Sequence, residues 1–144
     1  MISIIKLLAS MALNTHLHIS ITSIYSFIEY LKNNESPSLG VDFILNEIKI
    51  MDLELKIQML MLIFDKSKND KNNPLEQLYL KNLEDSVQEI DSITKKIKNT
   101  IEQHKLKWFY TYRSFDVSKE LDELKQLSKI LSDRITLGSQ LNIF

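Results

Sequence analysis

From Leu83 to Leu137 the chain carries an apolar heptad that runs, stops at a knot of aromatic and basic residues, and starts again. The first run is Leu83, Val87, Ile90, Thr94, Ile97, Ile101, His104 and Trp108. The second is Val117, Leu121, Leu124, Ser128, Leu131 and Ile135. Steps of three and four place each run on a single helical stripe. Lys105-Leu-Lys-Trp-Phe-Tyr-Thr-Tyr-Arg-Ser114 lies between them. This is the pattern of a helical hairpin with an elbow, and it directs the chain to a bundle. It fixes an architecture and no chemistry.

The rest of the composition agrees with rods. Only two Gly and two Pro occur in 144 residues, too few for the turns of an all-β or α/β chain. The length suits one domain spanning residues 1–144, with a sizeable core. A net charge of −1 supplies no global field towards nucleic acid or membrane, so any such binding needs a local patch. The absence of Cys removes disulfides, zinc thiolates and thiol nucleophiles.

Residues 2–32 are predicted as a first helix on the heptad Leu17, Ile21, Ile24, Ile28 and Leu31, with a break near Asn14. Within it, His16 to Thr22 alternates like a strand. The start, Met1 to Ala12, resembles a short signal peptide, but Lys6 interrupts its apolar run. It is therefore assigned to a buried helix, and the expected location is cytoplasmic or virion-associated, with secretion disfavoured. No stretch has the length of a membrane span.

Asn33 to Gly40 is a loop, and a second helix is predicted over 41–66. It carries two apolar stripes: Ile44, Ile48, Met51, Leu55 and Leu62, then Ile50, Leu53, Ile57, Leu60 and Phe64. A rod apolar on two faces is either central in a bundle or offers one face to a partner. After the solvated loop Asp65 to Asn73, Asn73-Pro-Leu-Glu76 signals a third helix, running to Trp108 or Phe109. Ser114 or Asp116 caps a fourth helix, and Gly138 is its expected stop.

Side chains able to carry chemistry are sparse. His16 and His18 diverge on a helix and have no further ligand nearby. None of His16, His18 and His104 follows a Glu by three positions, so a di-iron carboxylate site is disfavoured. Gly40 and Gly138 stand alone, so no phosphate-cradling loop exists. No metal and no cofactor is expected. Thr94 and His104 are polar positions on a helical seam, where such residues fix register, and an imidazole can change charge near neutrality.

The elbow is the one candidate site. Lys105, Lys107 and Arg113 interleave with Trp108, Tyr110 and Tyr112, a composition that tracks single-stranded nucleic acid, sits at a lipid interface or anchors a protein partner. The competing reading has Trp108, Phe109 and Phe115 plugging the end of the bundle, with Lys107 and Arg113 on helix carbonyls.

Two resemblances follow. A long helix ending His104-x-x-Lys107-Trp108-Phe109, then Arg113, then a helix closing Ile130-Leu-Ser-Asp-Arg134, resembles small helical proteins of large, mimivirus-like DNA viruses. That likeness covers about a third of the chain and implies a virion, assembly or host-interaction role. Four helices with Phe115-Asp-Val117 opening the last resemble the four-helix executioner domains of mixed-lineage kinase-like cell-death proteins. Those act at membranes, and this chain lacks their strongly basic surface.

The sequence thus predicts an all-α, antiparallel four-helix bundle with a long third helix. The expected role is a non-enzymatic structural or interaction protein that self-associates through its second or third helix. The alternatives are a membrane- or lipid-acting bundle and a nucleic-acid-binding module built on the elbow at 105–113.

Overall fold

A computed structural model describes residues 15–34, 39–66, 73–107 and 114–142. All the regular structure there is helical: α1 Thr15–Lys32, α2 Leu39–Ile50, α3 Leu53–Lys66, α4 Pro74–Lys105 and α5 Ser118–Gln140. The heptad of the first helix is the core face of α1, with Leu17, Ile21, Ile24, Ile28 and Leu31 all buried. The strand-like alternation at 16–22 is overridden by this buried stripe. The predicted segment 2–14, with its break near Asn14, lies outside the described residues.

Among the described residues five helices stand where four were predicted over the whole chain, because the second rod is broken. In α2 the buried positions are Val41, Ile44 and Ile48; in α3 they are Leu53, Ile57, Leu60, Met61 and Ile63. Continuing the first set at 3.6 residues per turn reaches Met51 and Leu55, about half a turn away from the second set. A straight helix cannot bury both. The chain reverses phase at Asp52, whose φ of 52° is left-handed, a conformation that Asp and Asn tolerate better than other side chains. The core thus takes Ile44 and Ile48 from the first stripe and Leu53, Ile57 and Leu60 from the second, while Ile50 and Leu55 stay 68% and 53% exposed.

The long seam of α4 is uninterrupted: Leu83, Val87, Ile90, Thr94, Ile97, Ile101 and His104 are all at most 2% exposed. Asn73 Oδ1 accepts from the Glu76 N–H at 3.2 Å, and Pro74 opens the helix. The helix ends at Lys105, short of the expected Trp108. The Leu106 N–H turns back to Gln103 O at 3.3 Å and the Lys107 N–H to His104 O at 3.1 Å, the tightened last turn of a helix end.

At the start of α5, Asp116 Oδ1 accepts from the Ser118 N–H at 2.9 Å and from its hydroxyl at 2.6 Å. These donors hold the Asp116 carboxyl below its ordinary range. Gly138 does not end α5. It is buried inside a helix that runs two residues further, and Asn142, with φ 54°, takes the left-handed position instead.

Cross-links give the helix directions. Arg134 Nη1 on α5 donates to Asn82 O on α4 at 2.9 Å. At the other end His104 packs on Phe115, so α4 and α5 are antiparallel. Between α1 and α4, Ile19 and Ser20 share a groove with Asp91 and Ser92, while the Tyr30 hydroxyl donates to Glu102. The numbers rise together, so α1 and α4 lie side by side in the same sense. The expectation of antiparallel neighbours throughout fails at this pair. The α3 helix is tied to α1 by Lys32–Glu54 at 3.1 Å and to α5 by Lys56 Nζ on Ser128 Oγ at 2.8 Å.

Candidate functional site

Two surfaces follow from this packing: the elbow end, where α4 stops and α5 begins, and the outer face of the α4–α5 pair.

At the elbow end, the His104 ring is buried and meets the Phe115 ring at a centroid distance of 4.8 Å, tilted by 48°. Phe115 also covers Gly40 at the start of α2. A Cβ added there would stand 2.6 Å from Phe115 Cε1, so the ring occupies the space a side chain would need. The ends of α4 and α2 and the segment leading into α5 therefore meet on one phenyl ring.

Nearby, Lys105 folds onto α1: its Nζ is 4.9 Å from the Tyr30 ring centroid, and Lys98 Nζ approaches the same ring at 5.1 Å, both within cation–π range. The Tyr30 phenol is raised above its ordinary range, by burial first and then by its hydrogen bond to Glu102 and that carboxylate's charge. Lys107 and Leu106 are exposed. Trp108, Tyr110, Tyr112 and Arg113 lie outside the described residues. Of the six elbow residues, the described pair thus diverges, with Lys105 on Tyr30 and Lys107 in solvent.

Thr94 and His104 both face the interior. The Thr94 hydroxyl donates to Asp91 O in its own helix at 2.9 Å, so its bond does not cross the seam.

The outer face of α4–α5 was hidden behind the core heptad. On α5, Leu127, Ile130, Arg134, Leu137 and Leu141 recur at steps of three and four, about a third of a turn from the buried line. Ile130, Leu137 and Leu141 are 41%, 47% and 43% exposed. On α4, Leu75 and Leu78 are 51% and 60% exposed. Arg134 joins the two lines, donating to Asn82 O and to the Ser86 hydroxyl. With equal rise along antiparallel helices, Leu78 and Leu75 run alongside Leu137 and Leu141. Beyond Arg134, Ile93, Leu127 and Ile130 floor a shallow groove whose rim carries Glu89 and Glu123. A second 3–4–3 spacing at 127–141 was the available signal.

Among the described residues no cluster of His, Asp and Glu is placed to hold a metal ion, and no helix is long and apolar enough to cross a membrane. Comparison with family models, curated proteins and solved structures finds no match to the chain.

Proposed function

We propose that the protein is a non-enzymatic interaction domain that docks a protein partner on the outer face of α4 and α5. In this reading the helices form a four-rod bundle in which α2 and α3 are one bent rod. The carrying observation is the line of exposed Ile130, Leu137 and Leu141 on α5, joined by Leu75 and Leu78 in the first two turns of α4. Single exposed apolar residues are ordinary, but an apolar band two helices wide is characteristic of an interaction surface. The elbow supports a nucleic-acid reading less well, since Lys105 is engaged with Tyr30.

The test uses a designed amphipathic helical peptide, about five turns long, with a Leu stripe and neutral Gln flanks. Saturable binding is expected by fluorescence anisotropy. The double variant Ile130→Gln/Leu137→Gln should lose it while keeping its thermal midpoint, because both side chains are already half in water. Equal binding to both proteins would place the interaction elsewhere.

A further inference from the structure

We infer that the partner of this face is an amphipathic helix whose apolar stripe is bordered by Lys or Arg. This rests on the docking reading above and adds the chemistry of the occupant. The groove formed by Ile93, Leu127 and Ile130 is apolar at its floor and acidic at its rim, with Glu89 on α4 and Glu123 on α5. Neither carboxylate has an ion pair among the described residues. They stand on either side of the floor, so a helix laid along the groove passes between two negative charges. The charged group in the middle of the face, Arg134, is spent on Asn82 O and the Ser86 hydroxyl and does not neutralise them.

This distribution also argues against a second copy of the chain as occupant. The face is acidic at one end and apolar at the other, where Leu75, Leu78, Leu137 and Leu141 lie. A two-fold axis brings the same surface against itself, residue i on j and j on i. Either the two acidic ends meet, which repels, or each acidic rim lies on the other copy's leucines and loses water without gaining a counter-charge. A basic-flanked helix satisfies both the floor and the rim.

Three designed helical peptides with one Leu stripe and Lys, Gln or Glu flanks, titrated against the full chain at low and physiological salt, decide this. The Lys-flanked peptide is expected to bind most tightly and the Glu-flanked one roughly tenfold or more weaker at low salt, with the gap narrowing as salt is added. Glu89→Gln/Glu123→Gln should close the gap between Lys and Gln flanks without moving the thermal midpoint. Equal binding of all three peptides overturns the charge inference and leaves the docking face intact. Failure of every peptide to bind, or binding unaffected by Ile130→Gln/Leu137→Gln, overturns the docking face itself. A dimer seen by light scattering that dissociates in Ile130→Gln/Leu137→Gln assigns the face to a second copy and overturns the basic helix as its occupant.

Discussion

Between them α2 and α3 contain 26 residues, and α4 contains 32, yet only the second set forms one rod. The difference lies in phase and in where polar groups find partners. Along α4 the buried positions hold one period for six turns, and the seam hydroxyl of Thr94 bonds within the helix, to Asp91 O; Ser86, beside the seam, donates to Asn82 O of its own helix and accepts from Arg134 of α5. Nothing on α4 requires a break. Along α2–α3 the buried positions jump by half a turn, so the helix must stop, and stopping leaves carbonyls without helical donors. The α5 helix supplies one, to Met51 O. The Ser128 hydroxyl donates to Met51 O at 3.3 Å and accepts from Lys56 Nζ at 2.8 Å, while Lys125 pairs with Glu47 at 2.6 Å. One rod is specified by its own sequence; the other is specified jointly with the helix that staples it.

The most severe way to break this contrast is to delete Asp52. Deletion sets Leu53, Ile57 and Leu60 at steps of four, four and three from Ile48, one straight stripe, and removes the left-handed reversal at 52. The straightened rod carries Leu53, Ile57 and Leu60, all fully buried, out of the places the bend gives them and parts Lys56 and Met51 O from Ser128. A loss on the order of several kcal/mol is expected from their exposure, read as a collapse of the urea midpoint. An unchanged midpoint would show that the bundle accepts a straight rod and does not need the bend.

Ser128→Ala against Thr94→Val separates borrowed bonds from internal ones. Losing Ser128 strands Met51 O and one acceptor of Lys56 in a buried site, at a cost of about 1–3 kcal/mol. Thr94→Val removes a hydroxyl bonded only to its own helix and should stay within about 1 kcal/mol of the parent. Equal losses would mean that the staple is no more than an ordinary contact.

The α1 helix places one tyrosine against each rod: Tyr25 by Gln58 and Glu54 of α3, Tyr30 on Glu102 of α4. Burial pushes the Tyr25 phenol from 10.0 up to about 12, with the Glu54 charge adding and Gln58 opposing. Its folded pKa is raised, so the unfolded chain surrenders the proton first. Stability from this group is intact below about pH 10 and falls as pH climbs towards 12. Tyr30, also raised, acts in the same direction. Denaturant midpoints across that alkaline window should fall less steeply in Tyr25→Phe than in the parent; parallel curves would remove Tyr25 from the account.

Most of the rods were legible because burial alone writes their pattern: the heptads of α1, α4 and α5 can be read from residue spacing. The break at Asp52 was not, although both stripes were visible, because two stripes on one segment are equally the mark of a two-faced helix. What separates the cases is a backbone dihedral, and Asp at 52 is only weakly diagnostic of it. Gly138 misled in the opposite sense: glycine is favoured at a helix end, but here it is a small residue packed inside α5. Parallel packing of α1 and α4 depends on long-range pairs such as Tyr30–Glu102, which no local spacing encodes. The outer line 127–141 was present in the sequence but masked by the stronger core line beside it.

The mildest probe concerns backbone alone and turns on a reversal of sign. At position 52 the side chain is exposed and φ is left-handed, so Val meets the carbonyl clash that Gly lacks. Asp52→Val should be less stable than Asp52→Gly by about 1–2 kcal/mol. Asn99 is exposed in the uninterrupted middle of α4, where φ is helical. There glycine's extra backbone freedom is the larger cost, so Asn99→Gly should be less stable than Asn99→Val by a few tenths of a kcal/mol. The four variants keep the core untouched, so opposite orderings at the two sites would isolate the left-handed residue as the feature dividing the broken rod from the straight one. The same ordering at both would leave the dihedral at 52 without energetic consequence.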